Sequence, residues 1–590
     1  MCGIAGFMTE NAAPPPAGLL DGFLRALAHR GPDGEGRYEA PGLGLVQTRL
    51  AIIDLKTGDQ PLHGPNGTAL VANGEIYNYV EIKPEFRGAH FVSQSDCEVP
   101  LFAYQRDGVD FARGLRGMYA IALGDARDHA LYLSRDPFGI KPLYYAEISG
   151  GILFGSELQA LLKTNLIKRE IRKAAATELV QLQFITGRQT IFSGINRVLP
   201  GETLTLRGGH IIDRRRKPAL PEGGRVPHSE DDALKELDAA LMDSVMVHQR
   251  SDVPYGMFLS GGIDSSALIA CMARLNDRPV RAFTAGFPGT GVHDERERAS
   301  RVAKAVGAEY IEIEVTEKDF WAHMPAIAAA MDDPAADSAA LPTYLLAAEA
   351  AKDVKVVLCG EGGDEMFGGY GRYRSVMRSP WLGGKAMRRR GFLDGLGVLR
   401  DSSAHWRDGI ASAERRIASL GGTRLQQAQA LDCADWLPED LLLKVDRCLM
   451  AHGVEGRTPF LDPVIANFAY RLPDKLKVSG GLGKYLLRRW LEKALPAAEP
   501  FSRKRGFTVP VAEWIGPRAR ALAPLVANAA GIGEICHPEK VRALFDDFGT
   551  RGGKRGGQAC WQLLFYALWH AVHVERRAVT NDVSSMLNGK

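Results

Sequence analysis

The 590-residue sequence predicts two folds joined end to end. The first is an α+β domain with sheets packed inside helices. The second is an α/β domain with a doubly wound parallel sheet and a helical C-terminal part. Three observations predict this. Over residues 2–207, short apolar runs are separated by Gly, Asp and Pro clusters. From residue 255 to 359, strand-like and helix-like stretches alternate. Between the two halves, residues 208–228 form a Gly-, Arg- and Pro-rich linker.

Composition narrows the function classes. Apolar and charged fractions of 45% and 24% are those of a globular protein with room for more than one core. A net charge of +3 gives no argument for nucleic acid. The runs Arg214-Arg215-Arg216-Lys217 and Arg388-Arg389-Arg390 read as solvated faces. No apolar run is long enough for a membrane span, and Met1-Cys2-Gly3-Ile4-Ala5-Gly6 is no secretory signal. The eight cysteines show no C-x-x-C pair and no zinc spacing, which fits reduced thiols in a cytoplasm.

In the first domain, strands are expected at 44–46, 50–54, 69–72, 118–123, 130–134, 142–145 and 151–154. Helices are expected at 19–28 and 99–106, and Arg127-Asp128 reads as a hairpin turn. Cys2 is the residue that removal of Met1 would leave with a free α-amine. An α-amine of pKa near 8 is a usable base beside its own thiol, so one residue supplies nucleophile and proton acceptor. Polar groups gather in four other places. These are the loop His29-Arg30-Gly31-Pro32-Asp33-Gly34, Arg49 at the start of a strand, Asn73-Gly74-Glu75-Ile76-Tyr77-Asn78 after a strand, and Ser95-Asp96-Cys97-Glu98 at a helix start. Singly, each reads as a turn, an ion pair or an N-cap.

Jointly they resemble the class II glutamine amidotransferase domain, an N-terminal-nucleophile hydrolase sandwich, over residues 2–207. The resemblance implies that Cys2 attacks the glutamine side-chain amide and that Asn73 and Gly74 form the oxyanion hole. It also implies that Arg49 takes the α-carboxylate, that Glu75 and Asp96 match the α-ammonium, and that backbone at Ile53 lines the pocket. Cys97 is then a neighbour in the motif, and ammonia is the product.

The second domain opens with Ser229 and Asp232 as a cap, and Leu234, Leu237, Leu241, Val245 and His248 fall on one helical face. His248 reads as a helix-end residue. Strands are expected at 255–259, 280–284, 310–315 and 354–359, with helices at 263–274, 297–306 and 343–351. Ligands sit at the carboxyl ends of parallel strands, which selects Leu259-Ser260, Ala285-Gly286 and Cys359-Gly360-Glu361. The first of these runs into Ser260-Gly261-Gly262-Ile263-Asp264-Ser265-Ser266. A helix start offers free N–H groups to a phosphate, the glycines let backbone approach it, and Ser260, Ser265 and Ser266 add hydroxyls. Asp264 can hold magnesium. The loop lacks the Lys of a γ-phosphate-gripping loop. It resembles the pyrophosphate loop of ATP pyrophosphatases, enzymes that split ATP into AMP and pyrophosphate to activate a carboxylate or carbonyl. In Cys359-Gly360-Glu361-Gly362-Gly363-Asp364, Asp364 is a second magnesium candidate and Glu361 a candidate base toward ammonia.

From Leu431 onward the pattern is helical and carries Lys444-Val445-Asp446-Arg447, Gly456-Arg457-Thr458-Pro459-Phe460-Leu461-Asp462, Gly483-Lys484-Tyr485-Leu486-Leu487-Arg488 and Arg503-Lys504-Arg505-Gly506-Phe507. With the preceding loops these resemble the synthetase domain of glutamine-hydrolysing asparagine synthetases, assigned to residues 229–576. Leu259, Ala285, Cys359 and Gly360 fall where that family holds the adenosine and AMP, and Arg447 and Lys504 where it uses cations on the intermediate and pyrophosphate. The resemblance implies glutamine, Mg-ATP and L-aspartate as substrates, a passage for ammonia between sites, and a homodimer. The same loops serve relatives acting on a small peptide, osmolyte, cell-wall or exopolysaccharide precursor, so the acceptor stays open. A catalytically silent homologue is a third reading, against which stand Cys2, Arg49, Asp264, Glu361 and Asp364 together. Cys359 departs from the family's usual Ser. Residues 380–430 carry no motif, and the tail 577–590 reads as frayed.

Overall fold

The strand Gly3–Thr9 pairs antiparallel with Leu43–Arg49 on one side and Gly151–Gly155 on the other, at the heart of a six-stranded sheet. A second six-stranded antiparallel sheet, built around Thr68–Ile76, Gly117–Asp125 and Ala130–Arg135, lies against it. Alternation along the strands decides the layers. Ile4, Met8 and Leu45 meet Val71, Ala122 and Leu133 between the sheets. On the outer faces, Ala5 and Phe7 pack with the helix Leu19–Leu27, and Leu70 and Ala72 with the helix Val99–Asp107. The result is the expected sandwich of two sheets inside helices. This computed structural model describes residues 2–588 apart from 223, 227, 379–380, 382–383, 385–386, 402–404 and 503–507.

Three local expectations in this half are corrected. The segment 50–54 is not a strand, and Arg49 closes the strand Leu43–Arg49 rather than opening one. Leu50 and Ile52 are apolar because they are buried in a core shared with the second domain. Asn73-Gly74-Glu75-Ile76 lies within the strand Thr68–Ile76, not after it. The sheet also runs past residue 207 into the predicted linker. Gly208 and Gly209, both at positive φ (52° and 77°), form a two-residue turn between Glu202–Arg207 and His210–Arg216. The basic run Arg214-Arg215-Arg216 is therefore the end of an edge strand.

The second sheet system is fully parallel, in the order Glu309–Glu314, Arg281–Gly286, Tyr255–Phe258, Val356–Leu358, Glu455–Arg457. Chain order runs outward in both directions from Tyr255–Phe258, so the sheet is doubly wound and its switch point lies beside that strand. The strand Glu455–Arg457 falls in the stretch read as helical, and three residues are too few to show a period. Ser229 caps the helix Glu230–His248 as expected, its side chain accepting from the Asp232 N–H. Residues of that helix share one buried cluster with Leu50, Ile52, Met118, Phe138 and Ile140 of the first domain, so the domains are joined by apolar packing. Among the described residues no helix is long and apolar enough to cross a membrane.

The tail is docked, against expectation. Asp582 accepts from the Ser584 and Ser585 N–H groups at the start of the helix Val583–Asn588. Val583, Met586 and Leu587 are buried, and Arg577 donates to the Met586 and Leu587 carbonyls. Their spacing puts all three on one helical face. Leu587→Ala is predicted to cost about 2–3 kcal/mol and lower the thermal midpoint. An unchanged midpoint after removal of residues 583–588 would show that the tail contributes nothing.

Candidate active sites

The first site is set by the register of three strands. Gly3 is paired with Thr48, which puts Cys2 and Arg49 at the same end of the first sheet, while Asn73 comes from the second. The Cys2 N–H donates to Asn73 Oδ1 at 3.1 Å, and Arg30 Nε donates to the Cys2 carbonyl at 3.2 Å. Asn73 is fully buried, yet its Nδ2 has no hydrogen-bond partner among the described residues. A buried amide donor left open costs stability unless something fills it. At Gly74 φ is +147° and a side chain would meet the Met118 carbonyl at 2.0 Å, so only glycine fits there. Burial raises the Cys2 thiol pKa, and Glu455 and Glu75 add to the rise.

Arg49 Nη1 meets Asp59 at 2.5 Å, and Nη2 donates to the Asp54 carbonyl at 2.6 Å and the Ile53 carbonyl at 3.4 Å. The Asp59 side chain is 80% exposed, so that partner is exchangeable. Glu75 and Asp96 are both buried. Burial holds the Glu75 carboxyl well above the usual range, and the neighbouring Asp96 and Glu455 charges add to this. Burial likewise raises Asp96, against the Ile76 N–H that it accepts at 2.6 Å. Glu75 Oε2 has no hydrogen-bond partner among the described residues. Two buried carboxyls with an open oxygen are a receptacle for a cation. Cys97 is buried behind them, its thiol directed at the Gly74 carbonyl and Asp96.

The second site lies at the carboxyl edge of the parallel sheet. Leu259 is locked there, its N–H donating to the Phe283 carbonyl and its carbonyl accepting from Thr284 Oγ1. Ala285 is buried at the end of the adjacent strand. Ser260 folds back on the loop: its Oγ accepts from the Gly262 N–H at 3.2 Å and lies 3.1 Å from Ser265 Oγ. Gly261, at φ +67°, lets the turn pass the backbone of Ala299. Gly262 caps the helix Ile263–Leu275, and Ser266 Oγ is buried in its first turn with no partner among the described residues. The second glycine loop presses on this one. A side chain at Gly363 would meet Asp264 Oδ1 at 2.4 Å, and one at Gly360 would meet Asp264 Cβ at 3.2 Å. Cys359 turns its thiol inward toward the Val357 carbonyl, and its N–H donates to the Arg457 carbonyl at 2.7 Å. Its departure from Ser therefore falls on a side chain packed in the core.

Asp264 and Asp364 come together on one cation that the sequence reading left without a role. Lys484 Nζ donates to Asp264 Oδ2 and lies 2.7 Å from Asp364 Oδ1. The two carboxylates are partly exposed, and Lys484 is buried beneath them. Two hard oxygen donors in a glycine cradle fit magnesium arriving with a nucleotide, since that ion keeps waters and phosphates in the rest of its shell. Among the described residues no group of three or more His, Cys, Asp or Glu could hold a metal ion.

Glu361 is half-buried beside this cleft. Burial raises its pKa, and Lys444 opposes the rise. Lys444 is itself fixed by Asp337 Oδ2 at 2.8 Å. Removing this cation should push Glu361 higher still. Lys444→Met is predicted to raise the Glu361 pKa, so that any step needing its ionised carboxylate shows its acid limb at higher pH. A limb that stays in place would separate Lys444 from Glu361.

Arg447 is not at this cleft. Its Nε donates to Asp332 Oδ1 at 2.8 Å, Nη1 to Asp446 Oδ2 at 3.0 Å, and Nη2 to the Tyr144 hydroxyl and the Ser156 carbonyl. All three nitrogens are committed to the domain boundary, which leaves none for a nucleotide. Lys504 lies outside the described residues. Arg30 joins the same boundary through a bidentate pair with Asp446. One helix, Leu443–Met450, thus carries Lys444 beside the second site and Asp446 beside the first.

The asparagine synthase family model matches residues 236–571, and the glutamine amidotransferase domain model matches residues 1–216. The chain belongs to the asparagine synthase family. It is 32% identical to asparagine synthetase [glutamine-hydrolyzing] 1 of Bacillus subtilis, with 99% of each chain covered. It is 34% identical to a putative asparagine synthetase [glutamine-hydrolyzing] of Mycobacterium bovis, with 98% of each covered. It is also 27% identical to amidase chyE of Penicillium rubens, over 88% of this chain and 89% of that one. The protein is an enzyme of glutamine-dependent amidation that uses ATP, a carbon–nitrogen ligase with glutamine as nitrogen donor.

Proposed function

We propose that the enzyme converts L-aspartate to L-asparagine through an acyl-adenylate, with ammonia passed internally from glutamine. The observation that carries the reading is the meeting of Asp264, Asp364 and Lys484 at the mouth of the Ser-Gly-Gly loop. Such a cluster suits the α–β cleavage of a nucleotide, with Lys484 on the departing pyrophosphate. Magnesium bound by Asp264 and Asp364 would neutralise phosphate charge. Leu259, Ala285, Cys359 and Gly360 line the adenylate side, and the backbone and hydroxyls of Ser260, Gly261, Gly262, Ser265 and Ser266 cradle pyrophosphate.

At the other site, Cys2 attacks the glutamine amide, and Asn73 Nδ2 with the Gly74 N–H receives the oxyanion. Arg49 exchanges Asp59 for the substrate α-carboxylate near Ile53, and Glu75 with Asp96 takes the α-ammonium. Ammonia then passes to the second site inside the protein. Glu361 removes the proton that ammonia must lose after attacking the acyl-adenylate. Support for aspartate is the similarity, over nearly their full length, to relatives named asparagine synthetases. A different carboxylate is the second reading, favoured by the similarity to a relative named an amidase. The test is to offer the purified protein ATP, glutamine and a panel of carboxylates. AMP, pyrophosphate and asparagine should form together. ADP and orthophosphate would remove adenylation, and amide formed only on another carboxylate would replace aspartate.

A further inference from the structure

The glutamine pocket is not built by its own domain alone. The strand Glu455–Arg457 belongs to the parallel sheet, yet its two outer residues, on one face by the two-residue period, turn their side chains to the first domain. Arg457 is fully buried. Its Nη2 lies 3.3 Å from Glu75 Oε1, and its Nε meets Glu455 Oε1 at 2.5 Å. Its Nη1 donates to the His248 and Arg250 carbonyls at 2.9 and 2.6 Å, at the negative end of the helix Glu230–His248. The guanidinium is thereby fixed, its Nη2 forms an ion pair with one Glu75 oxygen without hydrogen-bond geometry, and the other oxygen, Oε2, is buried without a hydrogen-bond partner among the described residues.

We propose that Arg457 is a positioning residue for glutamine binding: held by Glu455 and the helix end, it fixes Glu75 so that Oε2 faces the substrate α-ammonium. This rests on the reading of Glu75 and Asp96 as the ammonium site. Charge supports it. Glu75, Asp96 and Glu455 all face Arg457, and Lys141, whose Nζ donates to the Gly456 carbonyl, faces Glu455. Other groups facing Glu75 are the Cys2 and Cys97 thiols and the Tyr77 and Tyr79 hydroxyls, all raised by burial and so neutral near pH 7. Arg457 works against the burial that raises Glu75, and Arg457 and Lys141 both act to lower Glu455. Glutamine should therefore bind to ionised Glu75 and weaken as pH falls through the raised Glu75 pKa.

The test is a double-mutant cycle on the full chain with Arg457→Gln, Glu75→Gln and the pair, reading glutaminase KM and kcat against pH. Arg457→Gln should raise the glutamine KM by about tenfold or more, as expected when one partner of a buried ion pair is removed, with kcat changed less. Its acid limb in kcat/KM should move to higher pH. In the Glu75→Gln background the same change should add little, because the residue acts through Glu75. Arg457→Lys keeps the buried cation, should recover part of the lost affinity, and carries the test if the Gln variant does not fold. An unchanged KM in Arg457→Lys and Arg457→Gln, or effects that multiply independently with Glu75→Gln, would overturn the assignment. A wild-type protein with no glutaminase activity would instead overturn the function it rests on.

Discussion

Cys2→Ala abolishes glutamine-driven amide formation, on the order of 10⁴-fold or more, and leaves ammonia-driven formation in place. The expectation follows from the separation of the two sites. Cys2 hangs from Asn73 at the end of the antiparallel sheets, and its carbonyl is held by Arg30. None of the Asp264, Asp364 and Lys484 cluster touches it. Ammonia from solution bypasses the missing nucleophile. Because the alanine variant keeps the backbone N–H that donates to Asn73, the strand register should survive. Rates with glutamine and with ammonium, measured on one preparation, check this, and near-normal use of glutamine would mean that another group is the nucleophile.

Glu361→Gln is the second large effect. The side chain is nearly isosteric, so ATP should still bind and ATP–pyrophosphate exchange should persist, while amide formation falls by roughly 10²–10⁴-fold. The environment fits a base. Burial raises the Glu361 pKa, and the Lys444 charge opposes the rise. Asp364→Asn should behave differently, since Asp364 shares Lys484 with Asp264: exchange itself should weaken. Undiminished amide formation by Glu361→Gln would make Glu361 a structural residue. Equal loss of exchange and amide in both variants would mean that the two carboxylates are not divided in role.

What was legible in the sequence was whatever is encoded locally. The Ser-Gly-Gly-Ile-Asp-Ser-Ser loop, the glycines around Glu361 and Asp364, and the Ser95–Glu98 helix start sit where their turns and strand ends put them. The misreadings have a common cause in long-range packing. Leu50 and Ile52 looked like a strand, but their apolarity serves the other domain's core. Lys484 stood in plain view at a helix entrance, at φ +57°, yet its pairing with carboxylates far back in the chain is a product of the sheet's closure. Arg447 was placed by resemblance at the nucleotide, whereas its buried partners tie the domains together. Gly208-Gly209 was a readable hairpin signal, submerged in the Gly- and Arg-rich composition of the linker.

The account's central claim is that the two sites work as one enzyme, with nitrogen moving between them inside the protein. Glutamine labelled with heavy nitrogen at its side-chain amide, supplied together with excess unlabelled ammonium, tests it in a single isotope measurement on the product amide. Internal passage predicts that the product carries the glutamine label in preference to nitrogen from the bulk. A product whose isotope content matches the bulk ammonium would contradict it.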